Sequence, residues 1–305
     1  MTLETLETQG ERGAHLALFA AAGASFAWGV GPLAVRAIDA PVAVTAFWRL
    51  WIAVPLMFLL ARSSGGFNRK TLRLSIVPGF LFAGSLIAGW GAIRATSVAN
   101  ATIIPSLQPV LVLLIASKVF GETVRKRDFL LGAVALIGVL AFIVSASETS
   151  GASRKGDLFA VAGLIIWVSY FVITKRLRSG RDDINTLPLL AGIMFVAALV
   201  ATPYVLVAEG IPKPILGIDL IWVLFIVVVP GVLGHGLMTW AQRHATASLL
   251  SIVMLGSPIV SAFGAWIFFN QALLPTQLVA ALVVLSAVSG VVVSHRSVPV
   301  EIEAT

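Results

Sequence analysis

Ten long apolar segments, written as five and then five again, restrict this chain to very few folds. Through most of its length the second half repeats the first at an offset of 149 residues. Arg94 falls on Arg243, Pro109 on Pro258, Phe120-Gly121-Glu122 on Phe269-Asn270-Gln271, and Ser145 on Ser294. Nearer the start, Trp28 and Arg36 fall on Trp167 and Lys175 at an offset of 139, and the longer link after Arg178 absorbs the difference. A unit that crosses a bilayer an odd number of times ends on the opposite face. The second copy is therefore expected upside down relative to the first.

The membrane itself follows from composition. Only 11% of the 305 residues are charged and 58% are hydrophobic, whereas a soluble domain carries about 25% charged residues. The mean hydropathy is +0.99. Leu130 to Ser147 and Pro275 to Ser294 hold no charge at all. Rising about 1.5 Å per residue, each crosses most or all of a hydrocarbon layer roughly 30 Å thick. Backbone polar groups in lipid must be satisfied within the segment or in a closed barrel, and alternating strand patterns are absent, so the segments are helices. The expected fold is an all-α integral membrane protein of ten transmembrane helices in two inverted five-helix repeats. The spans are 15–37, 41–61, 74–93, 97–118, 128–147, 157–175, 186–208, 219–241, 246–268 and 275–294. The organisation is a disordered tail at 1–14, a first repeat at 15–147, a linker at 148–156, a second repeat at 157–295 and a C-terminal tail at 296–305.

Lysine and arginine fix the orientation. With the N-terminus in the cytoplasm, fifteen basic residues face that side and five face the other, and Arg49 inside a span completes the twenty-one. Such a bias places both termini in the cytoplasm, in the inner membrane. The net charge of +7 therefore reports topology, since its residues sit in the links between spans, and a nucleic-acid partner is not implied. No cysteine is present, so disulfides and thiolate metal sites are excluded. No phosphate-binding Gly-rich loop and no metal-spaced His or acidic cluster occurs in the sequence, so no cofactor or metal is expected.

Intramembrane polar groups are the candidates for chemistry. Arg49 lies roughly 12 Å below the outer surface, and no Asp or Glu lies deep in any span. It either binds an anionic group of a solute, such as an amino acid carboxylate, or pairs with carbonyls freed by nearby prolines, or snorkels outward. His235, Thr239 and Gln242 form an i, i+4, i+7 stripe on the eighth span. His235 either carries protons or sits neutral between helices. Asn100 and Gln108 on the fourth span, and Ser251 and Ser257 on the ninth, are uncharged groups that select a solute or join helices. Pro105, Pro109 and Pro258 should break those two helices near mid-membrane. Trp28 and Trp167, equivalent in the two copies, and Tyr170 one turn beyond, fall away from the interfaces where tryptophan usually sits. They are candidates to line a cavity.

Several of these residues also carry a resemblance. Phe26-Ala27-Trp28-Gly29, Trp48-Arg49, Ala99 through Pro109, Phe120-Gly121-Glu122 and the second-copy equivalents around Pro258 and Phe269 make the chain resemble the drug/metabolite transporter superfamily and its EamA family. Within that family it is similar to bacterial aromatic amino acid exporters. One departure is Asn270-Gln271 where the family often keeps Gly-Glu, so Glu122 is given no symmetric role. The resemblance implies a transmembrane exporter of amino acids, aromatic and apolar ones included, working by alternating access as the two halves rock. Its partners would be that small solute and the lipid bilayer, with a monomer as the default expectation. Export of other metabolites or drugs is the alternative within the class, and an intramembrane enzyme or a scaffold is the alternative outside it.

Overall fold

The computed structural model describes residues 3–96, 104–146, 153–179, 183–270 and 273–294. Its helices in chain order are α1 (Leu3–Arg36), α2 (Val42–Arg62), α3 (Arg69–Ala95), α4 (Gln108–Phe120), α5 (Lys126–Ala146), α6 (Arg154–Arg178), α7 (Thr186–Glu209), α8 (Ile218–His244), α9 (Ala247–Phe269) and α10 (Pro275–Ser294). Eight spans among the described residues are long and apolar enough to cross a bilayer. The fourth is shorter, running as an apolar helix from Ile104 to Phe120, because the start of its expected span lies outside the described residues.

The termini need one correction. Helix α1 begins at Leu3, so the polar stretch at the start continues the helix instead of forming a separate tail. The expected tail at 296–305 and most of the 148–156 linker lie outside the described residues.

The repeat is written into the breaks as well as the spans. Gly121 ends α4 in the left-handed region at φ 65°, and its counterpart Asn270 ends α9 there at φ 52°. Asparagine is the side-chain-bearing residue that best tolerates this conformation, so Asn270 performs the same stop as the glycine. Pro109 and Pro258 likewise occupy equivalent positions, each at the first turn of a helical segment that restarts in mid-span. Prolines are accepted there because the missing N–H has no partner to lose.

The main packing joins one copy to the other. Helix α3 lies along α6 and α7, α2 along α7, α5 along α10, and α1 along α8 and α9. The α1–α8 pair maps onto α6–α3 under the repeat, and α2–α7 and α5–α10 map onto themselves, as a pseudo-twofold requires. The two copies are thus interleaved. They are packed through one another and do not stand side by side as two separate five-helix bundles. Close approach at the α1–α9 seam depends on Gly29, where a Cβ would stand 2.6 Å from Val260 Cβ and 2.7 Å from the Ser257 carbonyl oxygen.

Candidate functional site

The expected helix breaks occur and create a pocket. The chain turns at Leu107 before α4 restarts, and α9 passes through a 3-10 turn at Met254–Gly256 before restarting at Ser257. Between the breaks lies a cavity of about 260 Å³ lined by Trp28, Pro105, Ser106, Gln108, Pro109, Ser251, Met254, Leu255, Ser257 and Pro258. In repeat register Pro105 corresponds to Met254, Gln108 to Ser257 and Pro109 to Pro258, and all six line the pocket. The pocket therefore sits on the pseudo-twofold axis. Its polar lining is unequal, with an amide on one copy where the other has a hydroxyl.

An aromatic cluster closes one side of this pocket. Trp28 and Trp167 meet with ring centroids 5.9 Å apart. His235 is 5.1 Å from Trp28 and 5.0 Å from Phe82, and Tyr170 is 5.2 Å from Trp167. Each indole N–H inside an apolar site needs an acceptor. Trp167 Nε1 donates to Gln108 Oε1 at 2.9 Å, and Gln108 Nε2 is directed to Met254 Sδ at 3.5 Å. Trp28 Nε1 donates to the Pro230 carbonyl at 3.0 Å.

That carbonyl is offered by an irregular turn. From Val227 to Gly234, α8 is wound as a π-helix around Pro230. A proline inside a regular helix clashes with the carbonyl four residues back, and the wider turn relieves that clash. Gly234 completes the fit, because a Cβ there would come within 2.7 Å of Trp28 Nε1. The extra residue in the turn also determines which way His235 points, immediately after it.

Arg49 enters from α2. It sits deep within the bundle yet retains accessible surface, and it makes no hydrogen bond or ion pair with any described residue. The ring nitrogens of His235 likewise have no hydrogen-bond partner among the described residues. An unpaired guanidinium can accept a carboxylate in two parallel hydrogen bonds.

Not all of the candidate residues converge. Trp28, Gln108, Ser251 and Ser257 line the pocket, while Trp167, Tyr170 and His235 form its aromatic side. Ser251 is fully buried and donates to the Ser248 carbonyl at 2.8 Å. Thr239 lies apart, buried where its backbone carbonyl accepts from Arg178 Nε. Gln242, which completes the helical stripe, donates to the Phe171 carbonyl at 3.2 Å. Asn100 lies outside the described residues. Sequence reasoning missed Phe82, Met254 and Pro230. Pro230 and its flanking Gly231 and Gly234 were a visible signal of irregular helix, whereas nothing distinguishes Phe82 from the other apolar residues of its span.

The model of the EamA-like transporter family matches this chain twice, over residues 15–144 and 154–293. The chain is 25% identical over 252 residues to the pseudopaline exporter CntI of Pseudomonas aeruginosa, strain PAO1, covering 81% of this chain and 86% of that protein. It is 27% identical over 150 residues to the uncharacterized transporter YyaM of Bacillus subtilis, covering 47% of this chain and 49% of YyaM. A solved structure described only as a crystal structure of a protein shares the fold, with a TM-score of 0.78 at 16% identity over 92% of this chain and 98% of that one.

Proposed function

Because this multi-pass membrane chain belongs to the EamA-like transporter family, with both family matches spanning nearly all of it, we propose that it exports amino acids, apolar and aromatic ones included. The observation that carries this reading is the cluster of Trp28, Phe82, Trp167 and Tyr170 beside the pocket, and Arg49, an interior cation with no hydrogen bond or ion pair among the described residues, is the group assigned to the carboxylate. The guanidinium receives the carboxylate and the rings receive the side chain. The cavity of about 260 Å³ lies below the roughly 300–1,000 Å³ of sites for drug-sized ligands, as suits a small solute. Gln108, Ser106 and Ser257 supply donors and acceptors for an amino group. Both termini face the cytoplasm, where the basic links collect, and substrate leaves through the opposite face of the inner membrane.

A second reading is favoured by one observation, the similarity to the pseudopaline exporter over most of both chains. In that reading the solute is pseudopaline or a compound like it. Purified protein in liposomes, offered a panel of radiolabelled amino acids, separates the two. Saturable movement of aromatic or apolar amino acids supports the first, and no movement of any amino acid overturns it.

A further inference from the structure

At the end of the bundle where α4 stops and α9 starts, one carboxylate joins the two copies. Glu122, in the link after α4, accepts from the Ala247 backbone N–H at 2.7 Å, the Ser248 N–H at 3.1 Å and the Ser248 hydroxyl at 2.8 Å. Charge-assisted bonds to the unsatisfied amides of a helix start are among the stronger polar contacts available to a protein. The segment they hold is sealed, since every residue from Ala247 to Val253 is buried. Beside it, the buried Lys175 donates to the Gln242 and Ala245 carbonyls at 2.7 and 2.6 Å, closing the end of α8.

The repeat gives this contact a counterpart that is not equivalent. Position 122 maps onto Gln271, and Ala247-Ser248 map onto Val98-Ala99. Those residues lie outside the described residues, so the comparison is one of sequence alone. A carboxylate stands in one copy where the other has a neutral amide, and a hydroxyl donor where the other has a methyl.

We propose that Glu122 is the latch that holds the transporter shut at the face carrying the basic links, and that its inequality with Gln271 sets that closed form as the resting state. The inference rests on alternating access but is independent of which solute is carried. Opening this face requires Glu122 to release α9, and the opposite face has no charged group of this kind at the matching position. The loss of such a contact should shift a two-state balance by on the order of tenfold.

The cysteine-free chain permits a direct test. Two reporters are made separately, Ala116→Cys, which lies wholly buried behind the latch, and Ser106→Cys, in the pocket. Each is combined with Glu122 or Glu122→Gln in membrane vesicles without substrate, and labelled with a membrane-impermeant maleimide from one face at a time. The latch predicts that Glu122→Gln speeds labelling of Ala116→Cys from the basic-link face several-fold while slowing labelling of Ser106→Cys from the other face. Unchanged rates at both reporters overturn it. Faster labelling at both also overturns it, because the carboxylate would then hold the fold without selecting a state. The assay contains no substrate, so its result is separable from any failure of the amino acid reading.

Discussion

The indoles of Trp28 and Trp167, counterparts in the two copies, meet edge to face with centroids 5.9 Å apart, and their N–H groups go to unlike acceptors. Trp28 donates to the Pro230 backbone and Trp167 to the Gln108 side chain. A twofold scaffold thus presents an asymmetric lining. Such a lining can hold an unsymmetrical solute in one preferred orientation, whereas two identical half-sites would offer it two equivalent ones.

The Trp167–Gln108 bond makes a prediction about coupling. Trp167→Phe retains a ring and removes the donor, and Gln108→Ala removes the acceptor. A hydrogen bond contributes about 1 kcal/mol net, so each change should lower export by roughly two- to tenfold. The double variant should lose little more than the worse single, because both delete one interaction. Flux normalised to protein in the membrane checks this, and fully additive losses would show that the two residues act separately.

The π-turn of α8 should be needed for function more than for folding. Pro230→Ala restores the missing N–H and removes the ring that clashes in a regular helix. Rewinding of Val227–Gly234 to an α-helix would rotate His235 away from Trp28 and Phe82, its neighbours at 5.1 and 5.0 Å. The variant should be at least as thermally stable as the parent and export several-fold more slowly. Export at the parental rate would show that the register of His235 is immaterial.

Two glycines should tolerate no side chain. At Gly234 a Cβ meets Trp28 Nε1 at 2.7 Å, and at Gly29 it meets Val260 and the Ser257 carbonyl below 3 Å. Overpacking of this kind costs typically about 1–3 kcal/mol. Gly234→Ala and Gly29→Ala should therefore lower the Tm in detergent, while Gly236→Ala, with nothing within 4 Å of the added atom, should leave it unchanged. Equal melting of all three would contradict the packing at both seams.

The spans, the breaks at Pro109 and Pro258 and the equivalence of Trp28 with Trp167 could be read from the chain because they are local or periodic. What could not be read depends on partners far apart in sequence. Lys175 and Arg178 count in the sequence as link charges that set topology, yet both are buried and hydrogen-bonded to carbonyls at or beyond α8, including those of Gln242, Ala245 and Thr239. Glu122 looked like an unmatched loop acid until α9, 125 residues on, supplied its amides. The interleaving of the copies was hidden for the same reason, since a repeat reveals which helices are equivalent and not which ones touch. Thr239 shares a helical face with His235, but it lies a full turn further along α8, where its carbonyl accepts from Arg178 Nε, and it does not line the pocket.

Arg49 provides the sharpest test of substrate class. A guanidinium inside the bundle with no described partner is costly to maintain unless something neutralises it, and a solute carboxylate would do so in each cycle. Arg49→Ala should then lower export of amino acids by at least about tenfold, a charge-assisted pair contributing roughly 1.5–3 kcal/mol. The methyl esters of the same amino acids lack the anion and should move poorly through the parent. The substitution should barely change that slow ester flux. Arg49→Lys keeps the charge but loses the planar pair of donors, so its amino acid flux should fall between the two. The assay is efflux of paired acids and esters from loaded proteoliposomes at one protein density. Equal proportional losses for acid and ester would assign Arg49 to holding α2 in place and remove the carboxylate from the recognition of substrate.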